Sequence, residues 1–191
     1  MHTLFDIKPD FPPGFSYKTG FLSPAEEQRL ITEIESVELH YMKFHGYTAN
    51  RKVASYGFDY SFETRKLTRG KDIPQAFYWL IEKVANEVHI HPGTIAELLV
   101  TEYATGTVIN WHRDAPPFDM IIGVSLLSDC IFKLRPQEKT RQTRSETISF
   151  PVERRSLYVM KDEARSQWQH SISPVKSKRY SITLRTLKAD R

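Results

Sequence analysis

The chain has 191 residues, 40% of them hydrophobic, which is enough for one sizeable core and demands no second domain. Cys130 is its only cysteine, which excludes an internal disulfide and a zinc site built on thiolates. A formal net charge of +4 permits a polyanionic partner without requiring one.

In chain order, residues 6 to 20 are rich in Pro, Gly and aromatics without periodicity, so they are expected to lie over the core as an extended arm. A helix is predicted next: Ser23 is a good N-cap, Pro24 suits the first turn, Glu26 completes a capping box, and Leu30, Ile31, Ile34 and Val37 form an apolar stripe. A second helix is predicted from about 74 to 88, where Phe77, Leu80, Ile81, Val84 and Val88 recur at three and four residues. Beyond His91-Pro92-Gly93 the helical spacing disappears. Short β-prone segments follow at 96 to 103, 107 to 112, 119 to 126, 130 to 135, 146 to 150, 156 to 160, 168 to 172 and 179 to 186. Many short strands separated by turns predict a sandwich or barrel, with the polar stretch 135 to 144 as an exposed loop. Cys130, inside an apolar run, is expected to be a small core residue. The longest apolar run, 120 to 127, is interrupted by Gly123 and Ser125 and is far shorter than the roughly 20 residues a membrane helix needs. With an N-terminus unlike a signal peptide, this predicts a soluble cytoplasmic protein.

His112 and Asp114 form a His-x-Asp pair, and strand side chains alternate with a period of two, so one strand end can present both to the same point. Of the remaining histidines, His170 has the best context, just before the last strand; His2, His40, His45, His89 and His91 lie near the terminus or the helix ends. Two histidines and a carboxylate on one face of a ferrous ion leave positions open for a co-substrate and dioxygen. Taken alone, a His-x-Asp pair occurs often by chance and is more commonly part of an exposed polar loop than a metal site. In the last strand Arg179, Ser181, Thr183 and Arg185 share one face and Tyr180, Ile182 and Leu184 the other. Two guanidinium groups aimed into a barrel mouth suit a small dicarboxylate; the competing reading is an edge strand with a solvated face.

Together the run Tyr103-x-x-Gly106-x5-His112-x-Asp114, the distant His170-Ser171-Ile172 and the closing strand from Arg179 to Arg185 resemble the AlkB family of 2-oxoglutarate- and Fe(II)-dependent dioxygenases, over residues 50 to 186. The resemblance implies a mainly β fold with flanking helices, a double-stranded β-helix or jelly-roll core. It implies one catalytic domain over 1 to 191: an N-terminal arm and helix (1 to 45), a nucleotide-recognition lid (46 to 70) and the core (95 to 188). By the same resemblance His112, Asp114 and His170 hold Fe(II). Arg179 pairs with the distal carboxylate of 2-oxoglutarate, Arg185 lies near its other end, and Tyr103 contacts it through its hydroxyl. The activity implied is oxidative demethylation of N-alkylated bases in DNA or RNA, consuming O2 and 2-oxoglutarate and releasing succinate, CO2 and formaldehyde, by a monomer that needs no membrane.

Tyr56, Phe58, Tyr60 and Phe62 alternate, so a strand would align four rings on one face, flanked by Arg51, Lys52, Arg65 and Lys66. A hairpin burying those rings is the competing reading; the resemblance identifies the segment with the lid, with Tyr60 and Phe62 as the preferred base contacts. Two positions depart from the family pattern. Thr101 stands where repair members carry an asparagine that contacts the co-substrate. Pro116 stands where they often carry an acid near the base edge, with Asp119 as the nearest substitute. Arg165 and Trp168 precede His170 and are candidates to orient it. A related dioxygenase acting on a protein or small molecule, and a catalytically silent nucleic-acid-binding module, are the other readings. The first has no need of the aromatic lid. The second would be expected to have lost a ligand or an arginine.

Overall fold

The computed structural model describes residues 10–44 and 47–189, with the backbone alone at 43, 44 and 47. His2, His45, residues 6 to 9 of the expected arm and the first lid residue, 46, lie outside the described residues.

The arm is only partly irregular: β1 (Phe15–Lys18) pairs antiparallel with β10 (Leu157–Met160). Helix α1 (Pro24–Glu35) begins as predicted. Ser23 Oγ accepts from the Glu26 amide, and the Glu26 carboxylate accepts from the Ser23 amide at 2.8 Å. Leu30, Ile31 and Ile34 are buried. The second helix, α2 (Tyr78–Val88), starts later than its periodicity suggests, because a 3-10 turn over Gln75–Phe77 takes up its first residues.

Strand β3 (Tyr47–Ser61) forms one hairpin with β2 (His40–Phe44) and another with β4 (Lys66–Arg69). The remaining strands are β5 (Ile95–Tyr103), β6 (Ile109–His112), β7 (Phe118–Leu126), β8 (Cys130–Pro136), β9 (Ile148–Val152), β11 (Trp168–Ile172) and β12 (Arg179–Leu187). They fall within a few residues of the predicted segments. The expected loop at 135 to 144 begins only after Pro136 and carries a 3-10 turn at Lys139–Arg141. A short helix, α3 (Asp162–Ser166), went unpredicted, since five residues are too few for a periodic stripe.

The strands form two antiparallel sheets, as a jelly roll requires: a large one in the order β1-β10-β7-β12-β5-β3-β2, with β4 added to β3, and a small one in the order β6-β11-β8-β9. One face of the large sheet packs on α1 and α2 through Leu98, Val100, Ile122, Val124, Ile182 and Leu184. Its other face meets the small sheet through a second core that includes Tyr103, Ile121, Phe132, Phe150, Tyr158 and Ile172. Cys130 belongs to that second core, as expected. The large sheet is therefore covered on both faces, and polar side chains on its inner face are cut off from water. Among the described residues, no helix is long and apolar enough to cross a membrane.

Candidate metal centre and co-substrate site

His112 ends β6 and His170 sits in the middle of β11, directly opposite it in the register. Their rings lie 4.1 Å apart, centroid to centroid. Asp114 follows two residues later in the loop to β7, so the His-x-Asp spacing carries its carboxylate back to the same point. One ligand atom from each of the three lies within 4.8 Å of the others, and Asp114 Oδ2 is 3.5 Å from His170 Nε2.

The protonation pattern suits a cation. His112 Nδ1 is 2.9 Å from the Asn110 carbonyl, which can only accept, so Nδ1 carries the proton and Nε2 keeps its lone pair. Burial, and then the neighbouring His112, push His170 down to about 3, so its imidazole is neutral. Burial alone would raise the Asp114 carboxyl, but Arg185 first, then His170 and His112, hold it well below the usual carboxylate range. Asp114 Oδ2 is buried with no hydrogen-bond partner, an expensive condition unless a ligand completes it.

The large sheet supplies the opposite wall. Arg179, Ser181, Thr183 and Arg185 do share one face of β12, but that face is buried rather than solvated. The two arginines are not equivalent. Arg179 is 2% exposed, lies over the Tyr103 ring at 4.9 Å and donates to Ser125 Oγ at 3.2 Å, while its Nε and Nη1 have no partner. A buried guanidinium with two idle donors fits a carboxylate. Arg185, expected near the other end of the co-substrate, has protein partners for three of its five N–H donors. It gives two hydrogen bonds to Asp114 Oδ1, at 2.6 and 3.1 Å, and one to Glu97 Oε2 at 2.5 Å. Its geometry makes it a positioning group for Asp114. Tyr103 is buried with its hydroxyl 3.2 Å from Ser181 Oγ, and Thr101 is buried beside the same serine in register.

Arg165 is buried and donates from Nη2 to the carbonyls of Asp114, Ala115 and Phe118, at 3.2, 2.7 and 3.0 Å, so it clamps the loop that carries Asp114. Trp168 does not orient His170: its Nε1 points to Glu163 Oε1 at 3.4 Å. Phe132 does that work, stacked on His170 at 5.5 Å with 6° between the rings. Glu97, Ser125 and Phe132 were not singled out from the sequence. Only Glu97 carried a signal, as a carboxylate inside the apolar run of β5, opposite Arg185 in register.

The aromatic segment corrects the simple alternation. Gly57 has φ +84°, and a Cβ there would collide with the Ala96 carbonyl. The backbone departs from regular extended geometry at this point, and the strand's partner changes from β5 to β4. As a result Tyr56 packs on the helix-side core while Tyr60 packs on the inter-sheet core with Leu67, so the four rings do not line one face. Tyr60 and Phe62 meet edge to face at 5.1 Å, Phe62 is 41% exposed and Phe58 is half-buried. Arg65 and Lys66 are exposed at the hairpin turn, and Asp119 is exposed at the start of β7.

A jelly roll with a His-Asp-His cluster facing an unpaired buried arginine defines an iron and 2-oxo-acid oxygenase. The chain belongs to the 2OG-Fe(II) oxygenase superfamily, whose model matches residues 14–185, and this family uses Fe(II), 2-oxoglutarate and O2. Within it the chain is of the AlkB type. It is similar to mouse tRNA (carboxymethyluridine(34)-5-O)-methyltransferase ALKBH8, 27% identical over 86% of this chain and 25% of the relative. It is also similar to Uncharacterized protein L905 of Acanthamoeba polyphaga mimivirus, 27% identical over 85% of this chain and 74% of the relative. In fold it is similar to the structure of OsALKBH1, with TM-score 0.75 and 13% identity, covering 92% of this chain and 98% of the other. The chain spans about a quarter of the length of the ALKBH8 relatives it matches.

Proposed function

We propose that the chain oxidises N-alkyl groups on bases of DNA or RNA, the chemistry of alkylation repair. The observation that carries the reading is that one fold holds both a buried, unpartnered Asp114 Oδ2 beside two histidines and two idle donors on buried Arg179. In this reading His112, Asp114 and His170 hold Fe(II), and Arg179 binds the distal carboxylate of 2-oxoglutarate, with Tyr103 and Thr101 beside it. When bound, iron, 2-oxoglutarate and O2 supply an oxidant that converts N–CH3 to N–CH2OH, with release of succinate and CO2; the hydroxymethyl group then leaves as formaldehyde, and the base nitrogen keeps the proton.

The chain's own residues do the rest. Arg185 and Arg165 fix the Asp114 carboxylate and its loop before any ligand arrives, so little reorganisation accompanies binding. Phe132 and the closed inter-sheet core keep bulk water from His170. The hairpin formed by β3 and β4 serves as the lid, with Tyr60 and Phe62 offering π-faces to an unstacked base and Arg65 and Lys66 meeting the phosphates. The name of the mouse relative refers to tRNA, which favours RNA as the polymer.

The test is incubation with Fe(II), ascorbate and 2-oxoglutarate and matched DNA and RNA oligonucleotides bearing single N-methylated bases, followed by mass spectrometry and formaldehyde release. Demethylation of any of them supports the reading. Consumption of 2-oxoglutarate with no oligonucleotide changed would move the substrate to a protein or small molecule.

A further inference from the structure

Arg51, expected from the sequence only as a cation flanking the aromatic lid, is a third guanidinium on the wall that carries Arg179. The register places Arg51 opposite Tyr103, and Tyr103 opposite Arg179, so the three form one row across β3, β5 and β12 on the inner face of the sheet. Arg51 is part-buried and near enough to Tyr103, Arg185 and Asp114 to feel their charges. Among the described residues, its hydrogen bonds go to the Met42 sulfur, from Nε at 3.1 Å and Nη2 at 2.7 Å. A thioether is a weak acceptor for a charged donor, and no carboxylate offsets the charge directly.

The acceptors of the cleft are meanwhile spent. Asp114 Oδ1 and Glu97 Oε2 are bound by Arg185, Glu97 Oε1 accepts from Ser55, and Asp114 Oδ2 faces the metal position. Pro116, which follows the metal carboxylate by two residues, has no side-chain acceptor, and Asp119 is exposed on β7. The carboxylates of Asp114 and Glu97 are therefore already engaged, and Asp59, near enough to raise the Glu97 carboxyl, is exposed on the hairpin.

Resting on the nucleic-acid reading above, we infer that Arg51 selects methylated bases with a neutral, oxygen-bearing pairing edge, such as 3-methyluracil and 1-methylguanine, over 1-methyladenine and 3-methylcytosine. The first pair turns carbonyl oxygens toward a donor. The second pair carries a positive charge at neutral pH, which a nearby guanidinium repels. A site built around a hydrogen-bonding group discriminates strongly against an analogue that leaves that group unpaired.

The test compares wild type, Arg51→Lys and Arg51→Met on RNA oligonucleotides carrying each of the four bases and on the unmodified strand. Formaldehyde release, affinity by fluorescence anisotropy without iron, and 2-oxoglutarate consumption without oligonucleotide are read for each. Wild type is expected to favour the oxygen-edged pair by about tenfold or more in kcat/KM. Arg51→Met should erase most of that preference, Arg51→Lys should keep part of it, and consumption of 2-oxoglutarate alone should hardly change. A wild-type preference for 1-methyladenine or 3-methylcytosine overturns the inference whatever the variants do. An equal loss of affinity for the unmodified strand would make Arg51 a phosphate contact, and a raised KM for 2-oxoglutarate would make it a co-substrate contact; either result overturns it as well. Those failures leave demethylation standing. Failure to demethylate any strand while 2-oxoglutarate is consumed removes the nucleic-acid reading and this inference with it.

Discussion

The two halves of β3 behave differently. Over 47–53 the strand pairs with β2 and over 51–57 with β5, which ties it into the doubly covered sheet; beyond Gly57 it pairs only with β4, with exposed side chains at its tip. The first region belongs to the wall that carries Arg179, where Arg185, Glu97 and Asp114 Oδ1 are hydrogen-bonded to one another while Arg179 keeps two unpaired donors. The second carries the rings and cations proposed to meet a substrate. On the proposed reading, the chemistry sits on the paired part of the sheet and the stacking contacts on the hairpin beyond it.

Substitutions should separate the two regions. The largest effect is expected from His112→Ala, which should reduce succinate formation to background with the circular dichroism spectrum unchanged, since His112 is half-exposed; retained turnover would remove the iron assignment. Asp114→Ala should also abolish turnover, but it leaves buried Arg185 with Glu97 alone, so it should cost about 3 kcal/mol of stability in denaturant titration as well. Unchanged stability would mean that Arg185 is not held by that carboxylate. Arg179→Met should weaken 2-oxoglutarate binding by about 3 kcal/mol, roughly a hundredfold, with Fe(II) affinity little altered; the check is calorimetric titration of both ligands.

On the hairpin, Tyr60→Ala should cost about 1–3 kcal/mol in affinity for a methylated oligonucleotide and nothing in affinity for 2-oxoglutarate. Equal oligonucleotide affinity in both proteins would argue against a stacking lid. The smallest effect probes the scaffold behind both regions. Buried Glu27 accepts from Arg154 and from the Leu127 amide, bonds that hold its carboxyl below the usual range against the opposing effect of burial. Its folded value is depressed, so its contribution is fully present above the unfolded value near 4.5 and is lost as pH falls through the folded one. Glu27→Gln should cost about 1–2 kcal/mol at pH 7 and flatten the acid limb of the stability profile, with the kinetics on 2-oxoglutarate unchanged.

Much of this was legible in one dimension. The period-two alternation of β12 separated its arginine face from its apolar face, the His-x-Asp spacing put two ligands together, and Ser23 with Glu26 marked the start of α1 within a residue. The same rule failed in β3, because a period-two count assumes regular extended backbone and Gly57, at φ +84°, breaks it, so that Tyr56 packs on one core and Tyr60 on the other. Trp168 and Phe132 show the complementary limit. Nearness along the chain suggested Trp168 as the partner of His170, while the ring that stacks on it comes from β8, 38 positions away.

Order along the chain and local spacing were sufficient to specify the class of fold, the three ligand candidates and the arginine strand, because these depend on side-chain direction within one element or on motifs in a set order. Packing alone decided that Arg179 keeps idle donors while Arg185 spends three of its own on Asp114 and Glu97, and that Arg51 joins the same row with, among the described residues, the Met42 sulfur as its hydrogen-bond acceptor. Whether a charged group is free to bind or already committed depends on partners from other strands, and pairing between strands brings those together only in three dimensions.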